Sequence, residues 1–215
     1  MRKTFDAELQ ELNYEMISMA AAAEDAIDTV TQSLSADEES SAREAIDLTR
    51  SMDEMERDIE SRCFRLLLQQ QPVARDLRTV SAALKMVTDL QRIGDQCANI
   101  AELSLLWPGN AQKAQDLANI RSMSQKAAVM VKRSIFAYAN RDVESAKAVI
   151  ALDDEVDELF QRVKRELVEL LVASREEADR AIDLIIIAKY LERIADHAVN
   201  IAQWAIYCVT GELVG

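Results

Sequence analysis

Glycine and proline are scarce in this sequence. Its 215 residues include only 4 glycines and 2 prolines. Folds with many tight turns depend on these two residue types, whereas Ala, Leu, Ile, Met, Glu, Asp and Arg, which are abundant here, are typical of long helices joined by few turns. Aromatic residues make up only 5% of the chain, so we expect an aliphatic core.

Long apolar runs are also missing. No stretch approaches the roughly 20 apolar residues that a transmembrane helix needs. The strongest run, Leu184–Ala188, is typical of the buried stripe of a helix. The N-terminal segment MRKTFDAELQEL becomes polar at once, so we expect no signal peptide. These features predict a soluble chain with no membrane insertion.

Positive charge is in short supply. The chain has 25 Lys and Arg against 38 Asp and Glu, a formal net charge of −13. Nucleic-acid binding depends on Lys and Arg that neutralise phosphates, so this balance argues against a nucleic-acid partner. It argues equally against an anionic membrane surface. The charge is consistent with a protein that binds cations or a basic partner.

Arrangements of residues that are typical of catalytic sites are missing. The chain has one histidine, His197, no Gly-rich phosphate loop, and no Ser or Cys nucleophile beside a base, so we expect no enzyme. Cys63, Cys97 and Cys208 are odd in number and widely spaced, which favours buried thiols in a reducing cytoplasm over disulfides. A ferritin-like di-iron site would need Glu-x-x-His, but Ala195 stands where that histidine belongs.

Apolar spacing at the helical period predicts six long helices, and no segment alternates at period two as a strand would. A cap at Ser35 or Asp37, a turn at Pro72 and the segment WPGN interrupt the helical pattern. Short connections make neighbouring helices antiparallel. We therefore predict an all-α fold of two tandem, pseudo-repeated three-helix bundles, residues 1–107 and residues 111–215. The predicted helices cover residues 6–34, 37–70, 72–107, 112–138, 142–172 and 175–209.

The two halves repeat polar residues as well as apolar ones. YLERIADHAVNIAQ (190–203) matches DLQRIGDQCANIAE (89–102), and VDELFQRVK (156–164) matches MDEMERDIE (52–60). Repetition of a packing unit explains the matched apolar positions. It does not explain the matched Asp, Arg and Asn, so we expect the chemistry of the protein at these positions.

Two acidic pairs stand out in the second repeat. Glu192 and Asp196 are four residues apart and share a helix face, and Asp153 and Asp157 repeat that spacing one helix earlier. If the two rows face each other, four carboxylates share one patch and favour a cation. Oxygen ligands suit Mg²⁺, Ca²⁺, Mn²⁺ or iron, whereas zinc would normally bring His or Cys.

An alternative for these acids is a solvated face whose charges pair with nearby cations. Lys189, Arg193 and Arg162 are placed to form such pairs. The spacing alone leaves both readings open. His197, which follows Asp196 directly, points about 100° around the helix and is expected to be a packing or surface residue.

Several segments together resemble one family. QQPVARDLR, LQRIGDQCANIAE, DDEVDEL and YLERIADHAVNIA, with FDAEL near the start and VTGEL at the end, closely resemble the PhoU family of accessory proteins of bacterial phosphate-specific transport. The resemblance covers nearly the whole chain. It implies a cytoplasmic protein of two similar three-helix bundles, often a homodimer, that negatively regulates the phosphate-starvation response. It also implies two partners, the ATPase subunit of the phosphate importer and a membrane sensor histidine kinase.

The resemblance also implies a metal. Family members bind iron or other metal ions through Glu/Asp-x-x-x-Asp pairs on the bundle surface. The corresponding residues in the second repeat are Asp153, Asp157, Glu192 and Asp196. We expect a divalent or trivalent ion there, with iron, Mn, Mg, Ca and Zn all remaining candidates.

The first repeat departs from the family pattern. Its equivalent pairs are Thr49 with Asp53 and Gln91 with Asp95, so both leading acids are replaced. Hard cations are held largely by the charge and number of their ligands. We therefore expect the first site to be empty, weakly loaded or rebuilt around Asp89.

These features lead to three functional hypotheses. The first is a non-enzymatic regulator that couples phosphate import to transcriptional signalling. The second is a metal-handling or redox helical-bundle protein that uses its surface carboxylates. The third is a scaffold whose carboxylates are merely solvated.

Overall fold

Six helices follow one another in this computed structural model, which describes residues 2–36, 39–70, 75–106, 118–173 and 178–214. Within these ranges the structure contains no strand, so the predicted all-α fold is confirmed. The helices are α1 (Arg2–Ala36), α2 (Glu39–Gln70), α3 (Arg75–Ser104), α4 (Ala118–Asn140), α5 (Val143–Ala173) and α6 (Ala178–Thr210).

The helix ends that the structure describes lie close to the predicted ones, with one clear difference at the N-terminus, while the predicted starts at residues 112 and 175 lie outside the described residues. Helix α1 begins at Arg2 rather than Asp6 and continues through Ser35 to Ala36, because no glycine or proline interrupts it. Asp37, Pro72 and the predicted division between residues 107 and 111 lie outside the described residues. The domain boundary therefore stays a prediction.

The turn between α4 and α5 shows how a short connection reverses the chain. Arg141 adopts a positive φ of 57°, and the Asp142 amide donates to Ala137 O at 2.9 Å. Asp142 then caps α5, because its carboxylate accepts from the Ser145 amide at 3.0 Å and from the Ser145 hydroxyl at 2.6 Å. These bonds to Ser145 hold the pKa of Asp142 below its usual value.

The helices pack as two repeated three-helix bundles. Helices α1, α2 and α3 contact one another, and so do α4, α5 and α6. Between the bundles, α3 packs against α6 and α1 packs against α4. The buried side chains form one continuous cluster across both bundles, and Phe5 and Tyr138 are its only buried aromatic residues among those described. The prediction of an aliphatic core is confirmed.

Buried thiols contribute to this core. Cys63, Cys97 and Cys208 are all free and buried, as predicted. Burial raises the pKa of Cys63 and that of Cys97 to about 12, so both thiols stay protonated near neutral pH. Among the described residues, no helix combines the length and the apolar character needed to cross a membrane.

The two repeats pack different side chains at one equivalent contact, between α2 and α3 in the first repeat and between α5 and α6 in the second. A Cβ atom added to Gly94 would lie 3.2 Å from Met52 Sδ, so Gly94 lets α3 approach a large buried side chain of α2. In the second repeat, Val156 and Ala195 stand at the aligned positions, and both are fully buried. The repeat with the larger residue on one helix, Met52, therefore has the smaller residue, Gly94, on the neighbouring helix.

This exchange of volume predicts a coupled effect on stability. Met52→Val should cost about 1–2 kcal/mol of unfolding free energy, because it leaves a cavity in the core. Gly94→Ala should gain little by itself, since the roughly 1 kcal/mol of added helix propensity is offset by the push on Met52. In the double variant the new methyl group fills the vacated space and should recover about 1 kcal/mol relative to Met52→Val.

Urea unfolding of the four proteins in this cycle measures the coupling. If Gly94→Ala changed the unfolding free energy equally in both backgrounds, the two side chains would not share the space between α2 and α3.

Candidate carboxylate site

The four acids predicted in the second repeat lie together on one surface patch. Asp153 and Asp157 come from α5 and Glu192 and Asp196 from α6. The pKa of Asp153 is raised to about 6, first by burial and then by the negative charges of Asp196, Asp157 and Glu192. The i,i+4 rows on the two packed helices therefore face each other, as the sequence pattern predicted. We call these four residues the second-repeat cluster.

The second-repeat cluster is short of hydrogen-bond donors. Asp153 Oδ1 is buried and has no hydrogen-bond partner. A carboxylate oxygen can only accept, so burying it without a donor costs free energy. Burial and then the charge of Glu192 raise the pKa of Asp196, although Lys189 partly opposes this effect. The patch therefore holds more negative charge than the surrounding protein neutralises.

Lys189 supplies part of the missing positive charge. Its Nζ donates to Glu192 Oε2 and lies 5.5 Å from the centroid of the Phe160 ring. Arg193 instead lies over the Tyr190 ring, at 5.8 Å from its centroid. In the part of the chain that the structure describes, Lys189–Glu192 is the only ion pair that involves the second-repeat cluster. Simple pairing with surface cations thus accounts for one of the four acids.

The oxygen atoms of the second-repeat cluster suit a hard cation in type. Their present positions do not surround a single point at which such an ion could bind. The cluster offers oxygen ligands only, one of which is buried without a partner. Within the described ranges, however, no three His, Cys, Asp or Glu side chains are arranged closely enough to hold a metal ion. The residues therefore fit such an ion in charge and donor type, and binding it would require their side chains to turn toward a common point.

The equivalent patch of the first repeat is organised differently. The side-chain amide of Gln91 donates from Nε2 to Asp95 Oδ1 at 2.9 Å and to Asp53 Oδ1 at 3.3 Å. Thr49 does not join them, because it is buried and its hydroxyl donates to Ile46 O at 2.8 Å. The structure thus brings Asp53, Gln91 and Asp95 together without a third acid at either replaced position. We call these three residues the first-repeat clamp.

Glu56 is an acid of this region that sequence reasoning missed. The pKa of Glu56 is raised by burial, then by the charge of Glu60, and then by the charges of Asp53 and Asp95. Its position three residues after Asp53 on α2 was the available signal, since that spacing keeps two side chains on one helix face. The aligned residue in the second repeat is Phe160, so the repeat pattern drew no attention to Glu56.

Asp89 does not rebuild the first site, and this expectation is corrected. It is buried and accepts hydrogen bonds from α6, where His197 Nδ1 lies at 2.9 Å and Asn200 Nδ2 at 3.3 Å from its Oδ1. Because Asp89 precedes Gln91 by two residues, it points about 200° around α3 from the first-repeat clamp. Asp89 and His197 therefore belong to the contact between the bundles, and His197 is the packing residue that was expected.

The fold and its repeated polar clusters define a class of protein, an all-α tandem repeat of two three-helix bundles. Within that class, the PhoU domain matches this chain twice, over residues 16–104 and residues 120–205. The chain belongs to the PhoU family, and the resemblance drawn from its motifs is confirmed.

Relatives and solved structures agree over nearly the full length. The chain is 39% identical over 207 residues to a protein of Aquifex aeolicus, and the aligned region covers 96% of this chain and 93% of the relative. It is 34% identical over 215 residues to a protein of Clostridium acetobutylicum, with 99% and 97% covered. Both relatives are called phosphate-specific transport system accessory protein PhoU homolog. The crystal structure of PhoU from Pseudomonas aeruginosa matches with a TM-score of 0.91 and 29% identity, covering 97% of this chain and 100% of that one.

The crowding of the second-repeat cluster predicts how stability depends on pH. The folded pKa of Asp153, about 6, lies above the ordinary value of 3.8, so the folded state binds this proton more tightly than the unfolded state. The contribution of Asp153 to the unfolding free energy of the metal-free protein should therefore fall as pH rises from 3.8 to about 6. Asp153→Asn should flatten this slope and stabilise the protein at neutral pH by about 1 kcal/mol, a figure reduced for solvent screening.

Urea unfolding in EDTA across this pH range provides the measurement. Glu158→Gln is the matched control, because it removes one negative charge from an exposed position of the same helix that is not among the causes of the Asp153 shift. Equal effects of the two substitutions would show that burial of Asp153 is not the cause.

Proposed function

We propose that this protein is a non-enzymatic, cytoplasmic regulator of phosphate uptake and a negative regulator of the phosphate-starvation response. It would act by coupling the phosphate importer to a sensor kinase. The observation that carries the proposal is the PhoU domain match over both bundles, together with relatives that are called accessory proteins of phosphate-specific transport. A solved relative from Streptococcus pneumoniae is titled a phosphate transport system regulatory protein, and this chain matches it with a TM-score of 0.89 at 26% identity.

The reactive side chains of the described residues support a role without catalysis. His197, the one histidine of the chain, is engaged with Asp89 between the bundles. Cys63 and Cys97 are buried, and their raised pKa keeps them from acting as nucleophiles near neutral pH. These groups serve packing, which leaves the surfaces of the bundles to carry the function.

Exposed apolar side chains at equivalent positions of the two repeats support a role in binding partners. Phe64 and Leu68 on α2 are 53% and 79% exposed, and the aligned Val168 and Val172 on α5 are 47% and 85% exposed. Clustered exposed apolar groups are typical of surfaces that contact other proteins. The partners in this proposal are the ATPase subunit of the importer and a membrane sensor histidine kinase, with a homodimer as the assembly.

We also propose that the second-repeat cluster binds a divalent or trivalent metal ion. The support is the crowding of four acids of which, among the described residues, only Glu192 has a cationic partner, and the buried, unpartnered oxygen of Asp153. Asp153, Asp157, Glu192 and Asp196 would supply the oxygen ligands, and the ion would supply the missing positive charge. The same cluster is the observation that favours the second candidate function, a metal-handling or redox protein.

A gene deletion distinguishes these functions. In the deletion strain, we expect phosphate-starvation genes to be expressed in phosphate-replete medium, and the wild-type gene should restore their repression. Reporter expression measures this. Unchanged expression in a strain that lacks any second PhoU gene would contradict the regulatory role, and a loss of metal tolerance or metal content alone would favour metal handling.

The apolar surface gives a second test of the regulatory role. Phe64→Ser/Leu68→Ser should weaken repression, because it removes exposed apolar contact area without touching the core. The matched control is Val129→Ser/Phe136→Ser, which changes two exposed apolar residues of α4, 41% and 61% exposed. Reporter expression is measured alongside pull-down by the importer ATPase subunit and sensor kinases. Equal behaviour of the two double variants would rule out a special role for the α2 surface.

A further inference from the structure

The first-repeat clamp satisfies its own charges with a protein amide. Both partners of Gln91, Asp53 and Asp95, are carboxylates that only accept hydrogen bonds. The NH₂ end of the amide must therefore face them, since the carbonyl end would repel both. Hydrogen bonds to a charged acceptor are stronger than those between neutral groups. One side chain thus binds an acid on its own helix and an acid on the facing helix.

The second-repeat cluster offers no equivalent arrangement. Glu192 occupies the aligned position of Gln91 and pairs with Lys189. The residue aligned with Lys189 is Thr88, whose hydroxyl donates to Leu84 O at 3.3 Å, so the first repeat has no ammonium group at this position. The two repeats therefore provide partners for their acids by different means, a neutral amide in the first repeat and an ammonium group in the second.

Thr49, the other residue that replaces an acid in the first repeat, also has its own hydrogen-bond partner. Asp153 has a buried oxygen without a partner, whereas the aligned Thr49 has its hydroxyl bonded to the backbone carbonyl of Ile46. In the first repeat both replaced positions are thus occupied by groups that already have partners. The second repeat keeps an acid at each of these positions.

We infer that the Gln91 amide takes the place of a metal ion in the first repeat, so that α2 and α3 are joined there by a hydrogen-bonded clamp that works without metal. A cation at this site would have to displace both amide hydrogen bonds. From the clamp and Glu56, three residues after Asp53 on α2, it would find three carboxylates rather than the four of the second-repeat cluster, together with a neutral amide oxygen after rotation of Gln91. This chain therefore does not fit the family's metal in its first bundle.

The inference predicts that one substitution creates a metal site. Gln91→Glu removes the donor and adds a carboxylate beside Asp53 and Asp95, so it should lower the urea midpoint in EDTA. Adding Mn²⁺ should restore the midpoint, and Mn²⁺ should bind about a hundredfold more tightly than it binds the same protein with Gln91 intact, within the range over which ligand charge tunes cation affinity. Calorimetric titration and urea unfolding give the two readouts.

The experiment is done in the full chain with the second-repeat cluster silenced by Asp153→Asn/Asp157→Asn. Gln91→Met is the control of similar size, which removes the amide without adding charge. It should lower the urea midpoint with no recovery in Mn²⁺. If Gln91→Glu does not fold in EDTA, refolding it in Mn²⁺ and then removing the ion decides the same question.

Two outcomes would overturn the inference. One is Mn²⁺ binding by the silenced protein with Gln91 intact that is lost on Asp53→Asn, and the other is a Gln91→Glu protein that gains neither binding nor stability from Mn²⁺. The metal proposal for the second repeat is judged separately, by Mn²⁺ binding to the wild type that disappears on silencing. If the second repeat binds no Mn²⁺, the Gln91→Glu experiment still tests the inference for the first repeat.

Discussion

The packing of α3 against α6 is the contact on which the rest of the molecule depends. Together with the packing of α1 against α4, it joins the two bundles into one continuous core. At this contact a buried acid, Asp89, receives donors from His197 and Asn200 across the interface. An unpartnered buried carboxylate would cost several kcal/mol, so these donors favour one register of α3 along α6. With that register set, the first-repeat clamp points away from the contact between the bundles.

A second constraint operates away from that contact, where acids face each other across packed helices and need hydrogen-bond donors or a positive charge between them. In the first repeat a neutral amide donates to both acids. In the second, a lysine pairs with Glu192, and Asp153 stays crowded and partly unpartnered. The same fold thus holds one patch whose two acids share an amide donor and one in which an oxygen of Asp153 has no hydrogen-bond partner. This difference lies in a few polar residues on the surfaces of the bundles.

The sequence predicts the helices well because their ends are marked by breaks in a strong apolar period. It also predicts that Asp153, Asp157, Glu192 and Asp196 meet, because i,i+4 spacing sets the helix face and the repeat indicates which helices pair. It could not predict the role of Asp89, since periodicity gives the face of a helix but not the partner that covers it. Gln91 was read as a lost acid, and only its distances to two carboxylates reveal it as a donor.

The pairing of Met52 with Gly94 has a consequence for the history of this chain. Two copies of a duplicated segment can keep exchanging sequence only while the residues of one copy also pack well at the equivalent positions of the other. Here Met52 lies so close to Gly94 that an added methyl group would have to push its side chain aside, whereas the other repeat combines valine with alanine. A conversion tract that carried one partner without the other would yield a hollow or crowded core. Since the two partners lie on different helices, far apart in the gene, packing itself helps to keep the two halves of the protein distinct.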